Sequence, residues 1–338
     1  MKKISINMLS SADKVDGQGV GSAYIELIKL LKEDASNLFD IYINKGTKYD
    51  ILHAHTVDLI NYFKLKFTKA KKVVYVHFLP TTLDGSIKLP KFAFNIFKKY
   101  VISFYKTADN LVVVNPSFID EMVKNGLDRN KITYIPNFVS KEKFYKRNDR
   151  DKLRKKYKLD KNAFVVMGAG QVQTRKGVMD FVEVAKKMPD VTFIWAGGFS
   201  FGAITDGHEE LSKIMKNPPK NVKFLGIVKR DDMNELYNIS DVLFVPSYNE
   251  LFPMTILEST SCSTPLLLRD LDLYENILFK KYLKGSNNED FVKQLTKLKE
   301  DKKVYKEAVK NSEFISKFYS KENVLKMWID FYTGILTK

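Results

Sequence analysis

The sequence predicts an α/β protein made of two successive doubly wound, Rossmann-like domains. Three observations carry this expectation. Strand-type apolar runs alternate with amphipathic helices from Ile4 to Ile135, a charged stretch interrupts them, and the alternation then restarts at Phe164. A chain of 338 residues exceeds one ordinary core, and with 44% hydrophobic and 13% aromatic residues each half can bury one of its own.

Taken in order, Ile4–Met8 reads as a short buried strand. Gly21–Lys32 reads as an amphipathic helix, with Tyr24, Leu27, Ile28 and Leu31 on one stripe. Ile51–Ala54, Val73–His77 and Leu111–Val114 are β-branched runs of the kind found in parallel strands buried on both faces. Pro116–Asn125 is a helix closed by Gly126, and Ile132–Ile135 is a strand ended by Pro136. These elements make residues 1–140 the first domain. Asn137–Asp160 is charged and poor in aliphatics, so 141–160 reads as a basic linker. In the second domain, 161–319, strands are expected at Phe164–Met167, Val191–Ala196, Val222–Leu225, Val242–Val245 and Leu266–Leu268. Helices are expected at Gly177–Lys187, Asp231–Asn238 and Thr255–Ser261. The tail from Asp290 is helical, and Ser320 is placed to cap a last helix over 320–338 that packs back toward the first domain. Ligands of such sheets sit off the carboxyl ends of the strands, so paired domains imply a cleft site.

Composition narrows the function. One cysteine, Cys262, excludes an internal disulfide and suits a reducing cytoplasm, and four histidines beside it make a structural zinc site improbable. No apolar run is long enough to span a bilayer, and the N-terminus turns polar too early for a signal peptide. The net charge of +16 is clustered. Residues 61–110 hold ten Lys against Asp84 and Asp109, and residues 141–160 hold ten Lys+Arg against four acids. Clustered cations suggest an anionic partner, a lipid surface or nucleic acid, and otherwise a basic solubilising surface. Aromatics near the patch follow core spacing and not that of a stacking platform, which argues against nucleic acid.

Three loops can carry chemistry. GQGVGS, Gly17 to Ser22, brings Gly19 and Gly21 to the start of a helix, where backbone can approach an anion; a tight βα turn would need the same glycines. GAGQVQTRKG, Gly168 to Gly177, follows a strand and opens a helix. Arg175 and Lys176 there add two cations to the positive helix end, an arrangement that suits a diphosphate. PSYNELFPMTILEST sets Glu250 on the loop after Val242–Val245 and Glu258 about one turn into the next helix, two acceptors for sugar or ribose hydroxyls. His77 ends an apolar strand before a Pro-containing loop and points to the same class of site, whereas His53 and His55 read as structural. Asp270-Leu271-Asp272 imitates a metal-nucleotide motif but reads as a turn, and Asp231-Asp232 reads as a helix start. Lys88–Lys106 is a basic amphipathic helix, with Leu89, Phe92, Ala93, Ile96, Phe97, Tyr100, Val101 and Phe104 on one face. It either packs on the sheet or lies in an anionic interface.

Together with NPSF at 115–118, IPNF at 135–138 and the run from Gly226 to Ser259, these residues resemble the family 4 glycosyltransferases (GT4) of the GT-B fold over nearly the whole chain. The resemblance implies that Arg175 and Lys176 hold a donor diphosphate, Glu258 the ribose and Glu250 the donor sugar, with His77 reaching the sugar. Further donor contacts are expected at Gly19, Gly21, Gly170, Phe252, Pro253 and Met254. Gln171, Leu251, Ser263 and Phe138 stand where the family usually has Arg, Gly, Gly and Gly. GAGQVQTRKG, WAGGFSFG and LLLRDLDLY are most similar to bacterial enzymes that add a second sugar to a monoglycosyl diacylglycerol. That implies UDP-glucose or UDP-galactose as donor, a glycolipid acceptor, retention at the anomeric carbon and no metal or other cofactor. Lys64, Lys66, Lys69, Lys72, Lys91, Lys98 and Lys99 would meet an anionic surface, as a peripheral protein on the inner face of the cell membrane.

Overall fold

The computed structural model describes residues 2–11, 19–46, 48–83, 90–199, 207–250 and 252–337. The chain divides into two compact units. One comprises Met1–Phe138 with Tyr319–Lys338, and the other comprises Val139–Phe318.

The first unit holds six parallel strands: β1 (Ile4–Leu9), β2 (Phe39–Ile43), β3 (Ile51–Ala54), β4 (Lys71–Val76), β5 (Asn110–Val113) and β6 (Ile132–Tyr134), in the order β2-β1-β3-β4-β5-β6. Their inner residues are aliphatic and β-branched, and β3 is buried at every position, as a parallel strand covered on both faces must be. The helices are α1 (Gly19–Asp34), α2 (Leu59–Phe67), α3 (Lys91–Lys106) and α4 (Phe118–Lys124). On α1, Tyr24, Leu27 and Leu31 are buried.

The second unit repeats the plan with β7 (Val165–Ala169), β8 (Thr192–Ala196), β9 (Val222–Phe224), β10 (Val242–Val245), β11 (Leu266–Arg269) and β12 (Leu283–Gly285), all parallel, in the order β12-β11-β10-β7-β8-β9. Around it lie α5 (Arg150–Lys156), α6 (Val178–Lys187), α7 (His208–Lys216), α8 (Arg230–Ile239), α9 (Met254–Ser261), α10 (Asp272–Leu278), α11 (Asn288–Glu300) and α12 (Lys302–Phe318). Its core interlocks aromatics edge to face: Phe181 with Trp195 at 5.1 Å and Phe244 with Phe291 at 4.7 Å. The last helix, α13 (Lys321–Leu336), belongs to the first unit. Ser320 caps it by accepting from Asn323 N–H, and Trp328 and Tyr332 are buried.

The structure departs from the sequence expectation in several places. Residues 141–160, expected as a linker, are largely folded onto the second unit. Buried Arg154 on α5 donates to the carbonyls of Ile239, Lys161 and Ala163 and to Asp241 at 2.8 Å, so a charge run became an anchor. Residues 61–72, to which the sequence pattern assigns no element, are largely regular: α2 runs to Phe67 and β4 begins at Lys71, with Asp58 capping α2 at Asn61 N–H. β2, α7, α10 and β12 were also not expected. β2 alternates buried and exposed residues as an edge strand does, and the other three are short. Asp272 opens α10, so Asp270-Leu271-Asp272 is a helix start and not a plain turn, and Asp270 pairs with Lys284 at 2.9 Å.

Candidate active site

In the second sheet the chain runs outward from β7 to β8 and β9, then crosses back to β10 and continues to β11 and β12. β7 and β10 are therefore the switch point of the order, where the connections leave in opposite directions and a crevice opens at the carboxyl ends of the strands. The two loops at that point carry Gly170–Gly177 and Pro246–Pro253.

Backbone contacts hold the loops together. Arg175 donates from Nη1 to the Asn249 carbonyl at 2.9 Å, and its own carbonyl accepts the Tyr248 N–H at 2.9 Å. Gly177 has φ +67°, and a Cβ there would lie 2.3 Å from the Pro246 carbonyl oxygen, so only glycine admits the neighbouring loop. The similar constraint beside Gly170 falls on Gly197, where a Cβ would meet the Gly170 carbonyl oxygen at 1.8 Å; Trp195 Nε1 donates to that oxygen at 3.1 Å, and Gly170 itself has φ +136°.

At this junction Lys176 Nζ donates to Glu250 Oε1 at 2.5 Å, and both side chains are nearly covered. Burial alone would raise the Glu250 pKa, but the Lys176 and Arg175 cations and the Ser247 hydroxyl outweigh it and hold the carboxyl below its ordinary range. Burial and the Arg175 charge pull the Lys176 ammonium down against Glu250's attraction. The two groups thus face each other as a close pair in a place with little water. Arg175 Nε is buried and has no partner among the described residues. The site therefore offers a cation pair and a carboxylate whose hydrogen-bonding capacity is only partly used.

Glu258 lies in different surroundings. Tyr237 Oη donates to its Oε2 at 2.8 Å, and Arg230 Nη2 stands 3.8 Å from Oε1, both from α8. The two glutamates follow one strand, and each faces a cation of its own, Lys176 for Glu250 and Arg230 for Glu258. Phe252 and Met254 are buried beside them, and Pro253 occupies the N-cap position of α9. Gln171, where the family pattern has Arg, is bonded to Gln173. Tyr237 and Arg230, which hold Glu258, were not anticipated, because α8 precedes it by about two dozen residues and no local pattern links them. Leu251 lies outside the described residues.

In the first unit His77 follows β4 at the carboxyl edge of the sheet. It is buried, 4.3 Å from the Tyr75 ring and 5.8 Å from His55, which in turn is 4.2 Å from His53. His53 Nδ1 and Tyr332 Oη on α13 are hydrogen-bonded at 2.7 Å. His77 Nε2 and both ring nitrogens of His55 have no partner among the described residues. Burial lowers the pKa of His77 to about 3, and burial with the His77 charge lowers that of His53 to about 3. This column is therefore neutral imidazole at physiological pH, able to donate or accept a hydrogen bond. Gly19 and Gly21, expected on a loop, lie in the first turn of α1, where backbone N–H groups lack helical partners; Gly17 and Gln18 fall outside the described residues.

The lysines expected to meet a membrane divide. Lys64 and Lys66 stand exposed on α2, Lys69 in the following turn, and Lys91 and Lys99 on α3, with Lys98 half-buried. Lys72 is engaged instead: its N–H donates to Asp109 at 2.9 Å and its ammonium lies 3.4 Å from the same carboxylate, which splices β4 to the start of β5.

Comparison with known proteins bears on the family and the fold. Residues 12–143 match the model "Glycosyltransferase Family 4", and residues 149–313 match "Glycosyl transferases group 1". The chain is 48% identical over 98% of its length, and 90% of the relative's, to the alpha-galactosylglucosyldiacylglycerol synthase of Streptococcus pneumoniae. It is 32% identical to the processive diacylglycerol alpha-glucosyltransferase of Acholeplasma laidlawii over 74% of this chain and 75% of that one. Among solved structures, sucrose-phosphate synthase from Thermosynechococcus elongatus superposes with a TM-score of 0.82 at 13% identity, over 99% of this chain and 100% of that one. Anabaena Alr3699/HepE, crystallised with UDP and glucose, superposes with 0.78 at 15%, over 98% and 99%. Both share the fold.

Proposed function

From the premise that this chain belongs to the family 4 glycosyltransferases, we propose that it transfers galactose from UDP-galactose to the sugar of a glucosyl diacylglycerol. The 48% identity to the Streptococcus pneumoniae galactosylglucosyldiacylglycerol synthase across nearly the full chain carries this reading. Glucose from UDP-glucose is the second reading, favoured by the Acholeplasma laidlawii glucosyltransferase.

In this proposal the switch-point loops receive the donor. Arg175 and Lys176 take the diphosphate, and Glu250, released in part from Lys176, accepts hydroxyl protons of the hexose. Glu258, held by Tyr237 and Arg230, takes the ribose. As the sugar–phosphate bond breaks, negative charge grows on the diphosphate, and the two preplaced cations stabilise it without reorganising. The acceptor enters on the donor's leaving-group side and gives its proton to a phosphate oxygen, so the α configuration is retained. Double displacement would need a second carboxylate within reach of the sugar. His77, uncharged, serves as a hydrogen-bonding contact for substrate hydroxyls. Because the charge on the phosphate is met by side-chain cations, activity should persist in EDTA. Strict dependence on Mg²⁺ or Mn²⁺ would count against this part.

The acceptor stays in the bilayer, and no helix among the described residues is long and apolar enough to cross a membrane. We therefore place the enzyme peripherally on the inner face of the cell membrane, where nucleotide sugars are available, held in part by Lys64, Lys66, Lys69, Lys91 and Lys99. The deciding experiment incubates the protein with labelled UDP-galactose or UDP-glucose and vesicles containing glucosyl diacylglycerol. A labelled diglycosyl lipid with an α linkage is expected, formed faster from UDP-galactose. No lipid product from either donor overturns the proposal.

A further inference from the structure

The run LLLRDLDLY, Leu266 to Tyr274, brings more than a strand to the switch point. β10 and β11 pair in parallel, with Val245 opposite Leu268, so the loop that carries Glu250 and the start of α10 leave the sheet side by side. Arg269 at the end of β11 ties them together. Its Nε donates to the Pro246 carbonyl at 2.8 Å, its Nη1 to the Ser286 carbonyl at 3.1 Å and its Nη2 to Asp180 at 2.7 Å. Its guanidinium also lies 3.9 Å from the centre of the Tyr248 ring. Asp180 is in the first turn of α6, just after Arg175 and Lys176, so one side chain fixes both donor loops against β11.

Tyr274, in the first turn of α10, is fully buried, and its N–H donates to the Leu271 carbonyl at 3.0 Å. Its ring meets that of Tyr282 edge to face at 6.0 Å. Its hydroxyl is buried and has no partner among the described residues. Native interiors rarely leave such a group unbonded, so it marks a place for a water or a ligand. Burial pushes the phenol pKa well above its ordinary range, and the nearby Glu250 carboxylate adds to the rise against the Arg175 cation. The phenol therefore keeps its proton and can donate. Arg175 Nε is a second buried donor without a partner among the described residues, and Arg175 acts on the same carboxylate. A phosphate oxygen would be repelled by Glu250. A sugar hydroxyl would not, since it can give its proton to the carboxylate and accept from the phenol.

We infer that the Tyr274 hydroxyl, together with Glu250, bonds one hydroxyl of the donor hexose and thereby sets which hexose epimer the enzyme accepts. This rests on the donor placement proposed above and adds a residue to it. A hydroxyl turned from axial to equatorial would leave both buried groups unpaired, the condition under which a polar site rejects a close analogue.

The test compares the full-length protein with Tyr274→Phe, which removes one oxygen and keeps the ring. Tyr282→Phe is the control, because its hydroxyl is also buried without a partner among the described residues but has Lys284, Glu275 and Asp270 as charged neighbours. Calorimetry gives the affinities for UDP, UDP-galactose and UDP-glucose, and labelled donors give transfer to glucosyl diacylglycerol. UDP should bind Tyr274→Phe as it binds the parent. The affinity of the preferred UDP-hexose relative to UDP should fall about tenfold, and the kcat/KM ratio between the two donors should shrink with it. Thermal melts should show no loss of stability, since no protein group loses a bond. Tyr282→Phe should change none of these. Unchanged affinity ratio and donor preference in Tyr274→Phe overturn the contact. Equal losses for UDP and both UDP-hexoses, with a lowered melting temperature, make the hydroxyl structural and overturn it too. A parent that binds UDP-hexose but transfers neither sugar refutes the proposed reaction, and the affinity ratio still decides the contact. A parent with no affinity for either UDP-hexose overturns both.

Discussion

At the carboxyl edge of the second sheet the buried polar groups come as opposite charges: Lys176 on Glu250, Arg269 on Asp180 at 2.7 Å, and Arg230 near Glu258. At the same edge of the first sheet they come as three neutral imidazoles in a column with Tyr75, Trp328 and Tyr332. One edge carries paired opposite charges, and the other presents neutral donors and acceptors next to aromatic rings. A diphosphate donor and a lipid-linked sugar would need these two different surroundings. On the proposed function, one sheet plan would thus serve two kinds of chemistry through what its strand ends carry.

The largest expected effect is at the charge pair. Lys176→Ala should lower kcat by about 10²–10³, the loss of one preorganised contact to a growing negative charge. It also leaves Glu250 buried without its ammonium, so stability should fall by roughly 3–5 kcal/mol. Lys176→Ala/Glu250→Ala removes both charges and should recover much of the stability, measured by urea unfolding, but none of the activity. Recovery of activity in the double variant would show that Lys176 does not act on substrate.

The matching test of the first unit is Trp328→Ala. Trp328 is fully buried and packs at 5.2 Å on both Tyr75 and Tyr332. Its truncation should cost about 3–5 kcal/mol. Because α13 belongs to the first unit, calorimetric UDP binding at the second unit's loops should survive in the folded variant. Loss of UDP affinity with the fold intact would break the division of roles drawn here.

These contrasts also explain what the sequence could and could not reveal. Arg175, Lys176, Glu250 and His77 each lie on a segment that follows a strand and leads to a helix, and a strand–loop–helix segment is a local pattern. The partner of His53 is Tyr332, 279 residues later, and no local pattern reaches that far. The α2 helix escaped because its apolar residues face outward, so their spacing reports no core. Lys72 looked like one more surface cation because its partner Asp109 is brought alongside only by the pairing of β4 with β5.

A pH titration separates the units by a smaller effect. The folded pKa values of His53 and His77 lie near 3 and that of His55 is also depressed, against an ordinary 6.5. The unfolded chain therefore binds more protons between those values. The stability from burying neutral imidazoles is complete above pH 6.5 and declines as pH falls toward 3. From about pH 7.5 to pH 6 the three should cost roughly 2 kcal/mol together. His55→Phe should flatten that slope in thermal melts. A variant with the parent's pH dependence would mean that the column is not what titrates.

The smallest effect concerns how the second unit ends the helix that carries Glu258. Its loops use glycine where backbone is left-handed and crowded, as at Gly177. At the end of α9, however, Ser263 takes φ +61°, a position where the family pattern has glycine. A side chain there costs about 1 kcal/mol, from which the extra freedom of glycine in the unfolded chain subtracts part. Ser263→Gly should thus stabilise the protein by about 0.5 kcal/mol and leave transfer unchanged. Gly177→Ala, with φ +67° and a carbonyl 2.3 Å from the new Cβ, should instead destabilise it and lower donor affinity. The two changes run in opposite directions between the same residue classes, so differential melts of the pair read backbone strain directly. If Ser263→Gly destabilises, the serine hydroxyl makes a contact worth more than the strain it carries.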